Sequence, residues 1–453
     1  MAGVASNTVW EIRPGAGNDN NGGGFVPGSS GTDYSQQNSP QYNLTGLTSS
    51  GSGNTLLYSG ASADMVGNVA QTISGSNVAS GMFQITSVSV GVSITFSTNN
   101  QNTSIATGAA SGVAINIGGA LASLGILYRV LASFTQVTDN NTIYIKATDS
   151  LTVTSTGQNY DVNNVTVIGY GTTRGDGIRP IITTSTNSVI IHQYQNSGFS
   201  ALWMNINFTN TAGTNAACFD ANGNNLQGLV FNNCVFNGFT YGLTIPSNIL
   251  YHCIFFFCEF TGCTSAGVLA NYAQYLEFSA CYIHGNAIGI ETSPNGNSTY
   301  GSNLVFNRCT IYNNTTYGVI QNAGGAGDSG PGTSLSFWNC NIVNNGSDGI
   351  NNVGNNSAGK PLWIFNCIII GNGGFGINCG STINNNGLAA VQTGGWNAYF
   401  NNTSGNQNNF PSFSTDVTLS GVPFTNIPTD WTLNSNSGEG ASCKGIGTPS
   451  SIP

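Results

Sequence analysis

The chain has 453 residues, of which only 6% are charged, and its 8 Lys and Arg against 17 Asp and Glu give a formal net charge of −9. So few cations form no basic stripe to neutralise phosphates, which argues against nucleic acid as a partner and against polyanionic substrates. A content of 39% hydrophobic and 10% aromatic residues is too rich for a disordered chain, and the length exceeds what one ordinary core fills unless the architecture repeats.

In chain order, the first residues, MAGVASNTVWEIRPGAG, carry no basic segment followed by an apolar one, and no run of 18 apolar residues occurs anywhere. Exit by lysis or assembly is therefore expected, unless a signal has been removed, and no membrane span is expected. The turn-rich GNDNNGGGFVPGSSGTDYSQQNSPQY is read as an extended docking arm, and MFQITSVSVGVSITFS alternates around Gly91 as a hairpin of a small β module. INIGGALASLGILYRVLASF places Ala, Leu and Ile at near-helical spacing and reads as a capping helix before the strand TIYIKA. Residues 1–135 thus form an attachment and assembly region.

From 136 to 400 the chain repeats. Six segments align on Cys234, Cys258, Cys281, Cys309, Cys340 and Cys367, at spacings of 24, 23, 28, 31 and 27 residues, each near one solenoid turn plus inserted loops. Two residues after each cysteine stands a large apolar residue (Phe236, Phe260, Ile283, Ile311, Ile342, Ile369), which is strand alternation with one face inward. A second register follows eight or nine residues after the cysteine, from Gly242-Leu243 to Gly376-Ile377. The fold class is therefore all-β: a single-stranded parallel β-helix, right-handed as parallel crossovers generally are. The six cysteines form a buried column of small apolar groups, since stacked parallel neighbours lack disulfide geometry. Asn286, Asn314, Asn345 and Asn372 form a second column near a bend, where stacked amides hydrogen-bond and left-handed backbone is tolerated. Residues 401–453 lose the repeat and read as a cap or tail, with Cys443 outside the ladder.

The run TVWEIRPGAGNDNNGGGFVPGSSGTDYSQQNSPQYNLT, together with ADMVGNVAQTISG, INIGGALAS and the closing DWTLNSNSGEGASCKGIG, resembles a family of uncharacterised right-handed β-helix proteins encoded by tailed bacteriophages and environmental bacterial genomes. The resemblance implies the fold and a role at a virion or extracellular surface. It supplies no catalytic residues.

The function expected is that of a virion structural protein (spike, fibre or capsid-surface decoration) built on a rigid rod. It would pair with itself as a homo-oligomer such as a trimer, with other virion proteins through the N-terminal region, and with cell-surface glycans. One alternative is a carbohydrate-binding or polysaccharide-degrading tailspike, a glycoside hydrolase or polysaccharide lyase; another is a bacterial extracellular filament subunit assembled by strand addition. Catalysis of that kind needs two carboxylates in one cleft. Glu259, Glu277, Glu291 and Asp348 are the candidates, all read as exterior but in different columns, so no close pair is expected and surface roles are favoured. Trp363, Trp338, Tyr312 and Tyr317 are candidates for contact with glycans or a neighbouring rod. No cysteine or histidine pattern has metal-ligand spacing, and no cofactor is expected.

Overall fold

A computed structural model describes residues 4–99, 102–125, 127, 140–153, 158–159, 164–184, 191–192, 201–211, 217–220, 226–245, 250–270, 275–292, 303–322, 334–352, 361–379 and 392–444. The chain divides into two compact units, Met1–Ser185 with Ile190–Gln193 and Gly198–Asn207, and Thr186–Val189 with Tyr194–Ser197 and Phe208–Pro453.

In the first unit, six antiparallel strands run in the order Tyr42–Leu47, Ala106–Ile117, Val69–Val78, Met82–Ser89, Ser93–Phe96, Thr55–Leu57. A bridge between Thr48 and Leu57 joins the last to the first, so the sheet closes on itself around Leu47, Leu56, Met65, Phe83, Ile94 and Ile115. Closure removes the free edges that a six-stranded sheet would otherwise expose. Gly91 turns the expected hairpin between Met82–Ser89 and Ser93–Phe96.

The same unit holds the start of the solenoid. The segment ahead of the expected arm is a solenoid strand: Val9–Ile12 pairs in parallel with Thr142–Lys146, which pairs in turn with Val165–Tyr170. Trp10 and Glu11 are fully buried. Glu11 is ion-paired to Arg13 (3.1 Å) and Arg174 (2.6 Å) and accepts a hydrogen bond from the Tyr170 hydroxyl. Such pairing is what a buried carboxylate requires.

The expected capping helix does not form over the described part of its stretch. Residues 115–117 end a strand, Gly118 and Gly119 are left-handed (φ 72° and 77°), and Leu121 then runs beside Ile12 as a parallel bridge. Two successive left-handed residues cannot continue a right-handed helix. The Asp19 carboxylate instead accepts the backbone amides of Ala122 and Ser123, both at 2.9 Å. Residues 126 and 128–134 of that stretch lie outside the described residues.

The second unit is a right-handed parallel solenoid with three strand ladders. The first ladder runs through Leu229–Asn232, Cys253–Phe256, Leu276–Ser279, Asn303–Asn307, Ser334–Trp338, Leu362–Phe365 and Gln392–Gly395. The second runs through Val235–Asn237, Glu259–Thr261, Tyr282–His284, Thr310–Tyr312, Asn341–Val343, Ile368–Ile370, Ala398–Phe400 and Val417–Thr418. The third runs from Ala217–Asp220 to Gly405–Asn408. The second and third ladders therefore continue past residue 400.

Like side chains stack because each turn repeats its register. Phe231, Phe255, Phe278, Phe306 and Phe337 form one inward column, with successive ring centroids 4.9–5.2 Å apart. That is close to the spacing of hydrogen-bonded strands. Six corners between the first and second ladders are left-handed residues (Asn233, Phe257, Ala280, Arg308, Asn339, Asn366; φ 52–56°) followed directly by the ladder cysteine, and at the next, Trp396 (φ 57°), Asn397 takes the cysteine's place. All six ladder cysteines are buried and free. From Cys258 onward each thiol donates to the carbonyl of the inward phenylalanine one turn back, as Cys309 does to Phe278 at 3.2 Å.

The asparagine column is a continuous amide chain. Asn286, Asn314, Asn345 and Asn372 each donate through Nδ2 to Oδ1 of the next, at 3.1, 2.9, 3.0 and 2.8 Å, ending on Asn402, a fifth member. The left-handed residue is not the ladder asparagine, as expected, but the one before it: Gly285, Asn313, Asn344, Gly371 and Asn401. The Gly-aliphatic register follows from the same chain. A Cβ on Gly289 would lie 2.4 Å from the Gly318 carbonyl oxygen and 2.9 Å from Asn314 Nδ2, so only glycine fits.

After the last turns, Phe424–Asn426 and Asp430–Leu433 form an antiparallel hairpin. Phe424, Ile427, Trp431 and Leu433 pack on Tyr312, Val343, Ile370 and Phe400, which face outward from the second ladder. The expected C-terminal cap is thus a strap along the side of the solenoid.

Candidate functional site

The four acidic candidates are not gathered into one cleft. Glu277 faces outward from the first ladder, in register with Ile254 and Val305. Glu291 lies half-buried on the third ladder and accepts a hydrogen bond from Asn322 Nδ2 at 2.7 Å; burial raises its carboxyl above the usual range. Asp348 is not exterior, as expected, but buried. Its carboxylate takes the Phe375 amide (2.7 Å) and the side-chain amides of Asn351 (2.6 Å) and Asn378 (2.9 Å), which makes it a bracket between two turns. Buried and already holding three donors, it presents little of its carboxylate to a substrate.

Glu259 is different, because its ladder brings chemistry to it. Strand alternation points Glu259 and Thr261 out of one turn, and the parallel register sets Tyr282 beside Glu259 and His284 beside Thr261. His284 Nε2 lies 2.9 Å from Glu259 Oε1, and its Nδ1 lies 3.5 Å from Thr261 Oγ1. An ionised carboxylate only accepts, so Nε2 supplies the proton of that hydrogen bond. The imidazole stacks on Tyr312 (4.5 Å, 17°), whose ring meets the strap residue Trp431 edge-on at 5.0 Å. Burial, with the nearby Glu259 and Tyr282 charges, raises the Tyr312 hydroxyl.

The aromatic candidates also change character. Tyr312 is 9% exposed, covered by the strap, and so offers no platform to solvent. Trp338 is face-stacked on Phe365 (4.6 Å, 12°), and Trp396 continues the row one turn on at 6.4 Å. Stacking uses the ring faces within the ladder and leaves mainly edges outward, which suits packing better than sugar stacking. Trp363 is half-buried on the same outward face of the first ladder, and Tyr317 is half-buried ahead of the third. On the second ladder, an exposed ring that the sequence did not single out is Tyr282, at 43%. In the sequence His284 is marked only by the exterior alternation of its strand, and Thr261 and Trp431 give no signal, since their roles depend on register and on the strap.

Of the other histidines, His252 is exposed and packs on Tyr275 at 4.9 Å, while nothing is described of the His192 side chain. Among the described residues no group of three His, Cys, Asp or Glu could hold a metal ion, and no helix is long and apolar enough to cross a membrane.

Residues 189–360 match the family model described as a right-handed beta helix region. No curated protein shows significant sequence similarity to the chain. Among solved structures it is similar to pectate lyase Pel9A (TM-score 0.46, 14% identity, covering 64% of this chain and 75% of that one). It is also similar to the tailspike protein of Acinetobacter phage vB_ApiP_P1 (0.36, 15%, 62% and 55%) and to the A-module of the Azotobacter vinelandii mannuronan C-5 epimerase AlgE4 (0.32, 11%, 62% and 91%). None of these likenesses bears on the chemistry of this chain.

Proposed function

We propose that the protein is a rigid β-helix scaffold on the exterior of a phage particle, a spike, fibre or capsid-surface component. The observation that carries this reading is the unbroken amide chain from Asn286 to Asn402, which ties each turn to the next through buried side chains as well as through backbone. A solenoid whose buried asparagine column is hydrogen-bonded and whose phenylalanine column is face-stacked resists bending and proteolysis, as a surface rod must. The four acidic candidates, dispersed over three faces and partly bracketed by amides, favour a scaffold over a two-carboxylate glycoside hydrolase. The particle itself is suggested by the resemblance of the N-terminal run to phage-encoded β-helix proteins, and attachment is assigned to the N-terminal region.

The filament reading required a free N-terminal arm to complete a neighbour. Val9–Ile12 is instead paired within its own chain, with Trp10 and Glu11 buried. Electron cryo-microscopy of the native protein without imposed symmetry tests the proposal: closed oligomers or particle-bound copies support it, and endless filaments would sink it.

A further inference from the structure

We infer that the outer face of the second ladder around Glu259, Tyr282 and His284 is a binding subsite for an uncharged saccharide. Glu259 is the only Asp, Glu, Lys or Arg in the eight strands of this ladder. Its hydrogen bond to His284 lies near solvent, with side-chain exposures of 35% and 21%, and pairs of that kind contribute little to stability. A carboxylate paired with an imidazole on strands that are otherwise uncharged, in a chain with 6% charged residues, is poorly explained by stability alone.

Beside the pair stands a ring of the right kind. Tyr282 is flanked in register by Glu259 and Thr310 and keeps 43% of its surface in water, whereas the outward residues of the later turns, from Tyr312 to Phe400, lie under the strap. The open shelf therefore ends where the strap begins. An aromatic ring takes the C–H face of a pyranose, a carboxylate accepts from its hydroxyls, and a hydroxyl such as Thr261 both donates and accepts. Glu259 and His284 are held by one another and by the stack on Tyr312, so their orientation is set before a ligand arrives.

Other ligand classes fit less well. An anion would meet the Glu259 carboxylate, and the strands of this ladder carry no Lys or Arg to balance it, Arg308 standing at the corner before Thr310. An extended peptide needs an open sheet edge, and these strands are paired on both sides. A metal ion would need a third ligand, and none is grouped there among the described residues.

The subsite does not depend on the scaffold reading, and its test is separate. The full chain is titrated with neutral gluco-, manno- and galacto-hexaoses, and with hexagalacturonate as the acidic control, using saturation-transfer NMR and calorimetry. At least one neutral hexaose should bind, and Tyr282→Leu and Glu259→Gln should each weaken it about tenfold with the melting temperature unchanged. As a readout independent of variant folding, 3-fluorotyrosine at position 282 should shift its 19F resonance on saturation. Binding of the acidic sugar alone, of none, or equally by both variants, or an unmoved 282 resonance, would overturn the proposal and leave the scaffold reading standing.

Discussion

Asn314 donates through Nδ2 to Oδ1 of Asn345 at 2.9 Å while its own Oδ1 accepts from Asn286 at 3.1 Å, so one buried amide serves as both ends of a relay between turns. Its Nδ2 also reaches the Ile283 carbonyl at 3.2 Å. Replacement by Ala strands the partners on either side without water. Asn314→Ala should therefore cost about 2–4 kcal/mol, read from urea or thermal unfolding. Asn314→Asp should be as harmful, because a carboxylate cannot donate to Asn345; equal stability of the Asp variant would show that the amide protons do not matter.

Phe257 occupies a left-handed corner (φ 52°) with 61% of its surface exposed, where equivalent turns carry asparagine at 233, 339 and 366. Left-handed backbone disfavours a bulky side chain and suits asparagine. Phe257→Asn should stabilise the protein by about 0.5–1 kcal/mol in denaturant titrations. A loss of stability would mean that the exposed ring is held by contacts that outweigh its backbone strain.

All eleven cysteines are free; ten are buried and Cys443 is partly exposed. Burial pushes the Cys253 and Cys263 thiols up to about 12 and Cys443 to about 11, so little thiolate exists at pH 8. An aromatic disulfide reagent should label at most Cys443, slowly, in the native protein and all eleven thiols in denaturant. Fast native labelling of a ladder cysteine would contradict the buried column.

Trp431 anchors the strap by its edge-on contacts with Tyr312 (5.0 Å) and Phe424 (5.1 Å). Because the hairpin follows the last turns, Trp431→Ala should release it locally rather than unfold the solenoid. Hydrogen exchange at residues 424–433 should rise at least tenfold while the asparagine ladder stays protected. Global loss of protection would show the strap to be part of the cooperative core.

Asp176 accepts the backbone amides of Gly171, Thr172, Thr173 and Ile178, and these bonds, Gly171's first, lower its carboxyl to about 2. A lowered folded-state value means that the stabilisation is complete above the unfolded carboxylate range and is lost as pH falls through about 2. The 171–178 loop should open below that pH, seen as faster amide exchange there. Asp176→Asn should open it at neutral pH. A loop unchanged in both cases would refute the capping role.

The repeat was legible in the sequence because a solenoid interior accepts only certain side chains at fixed offsets. Cysteine after the left-handed corner, an apolar residue two places on, and glycine where an asparagine amide occupies the Cβ position each leave a periodic trace. The fifth ladder asparagine, Asn402, escaped because no Gly-aliphatic pair follows it. The helix expected near residues 115–134 was misread because helical spacing of Ala and Leu says nothing about the two left-handed glycines that turn Leu121 alongside Ile12. What only the tertiary structure decided is every contact made once, without a repeat to echo it. The pairing of Val9–Ile12 with Thr142–Lys146, the cover of Tyr312 by Trp431, and the meeting of Glu259 with His284 join residues distant in the chain. A periodic pattern encodes which face of a strand is buried; a single contact between distant segments leaves no period, and only the register of the folded ladders brings it into being.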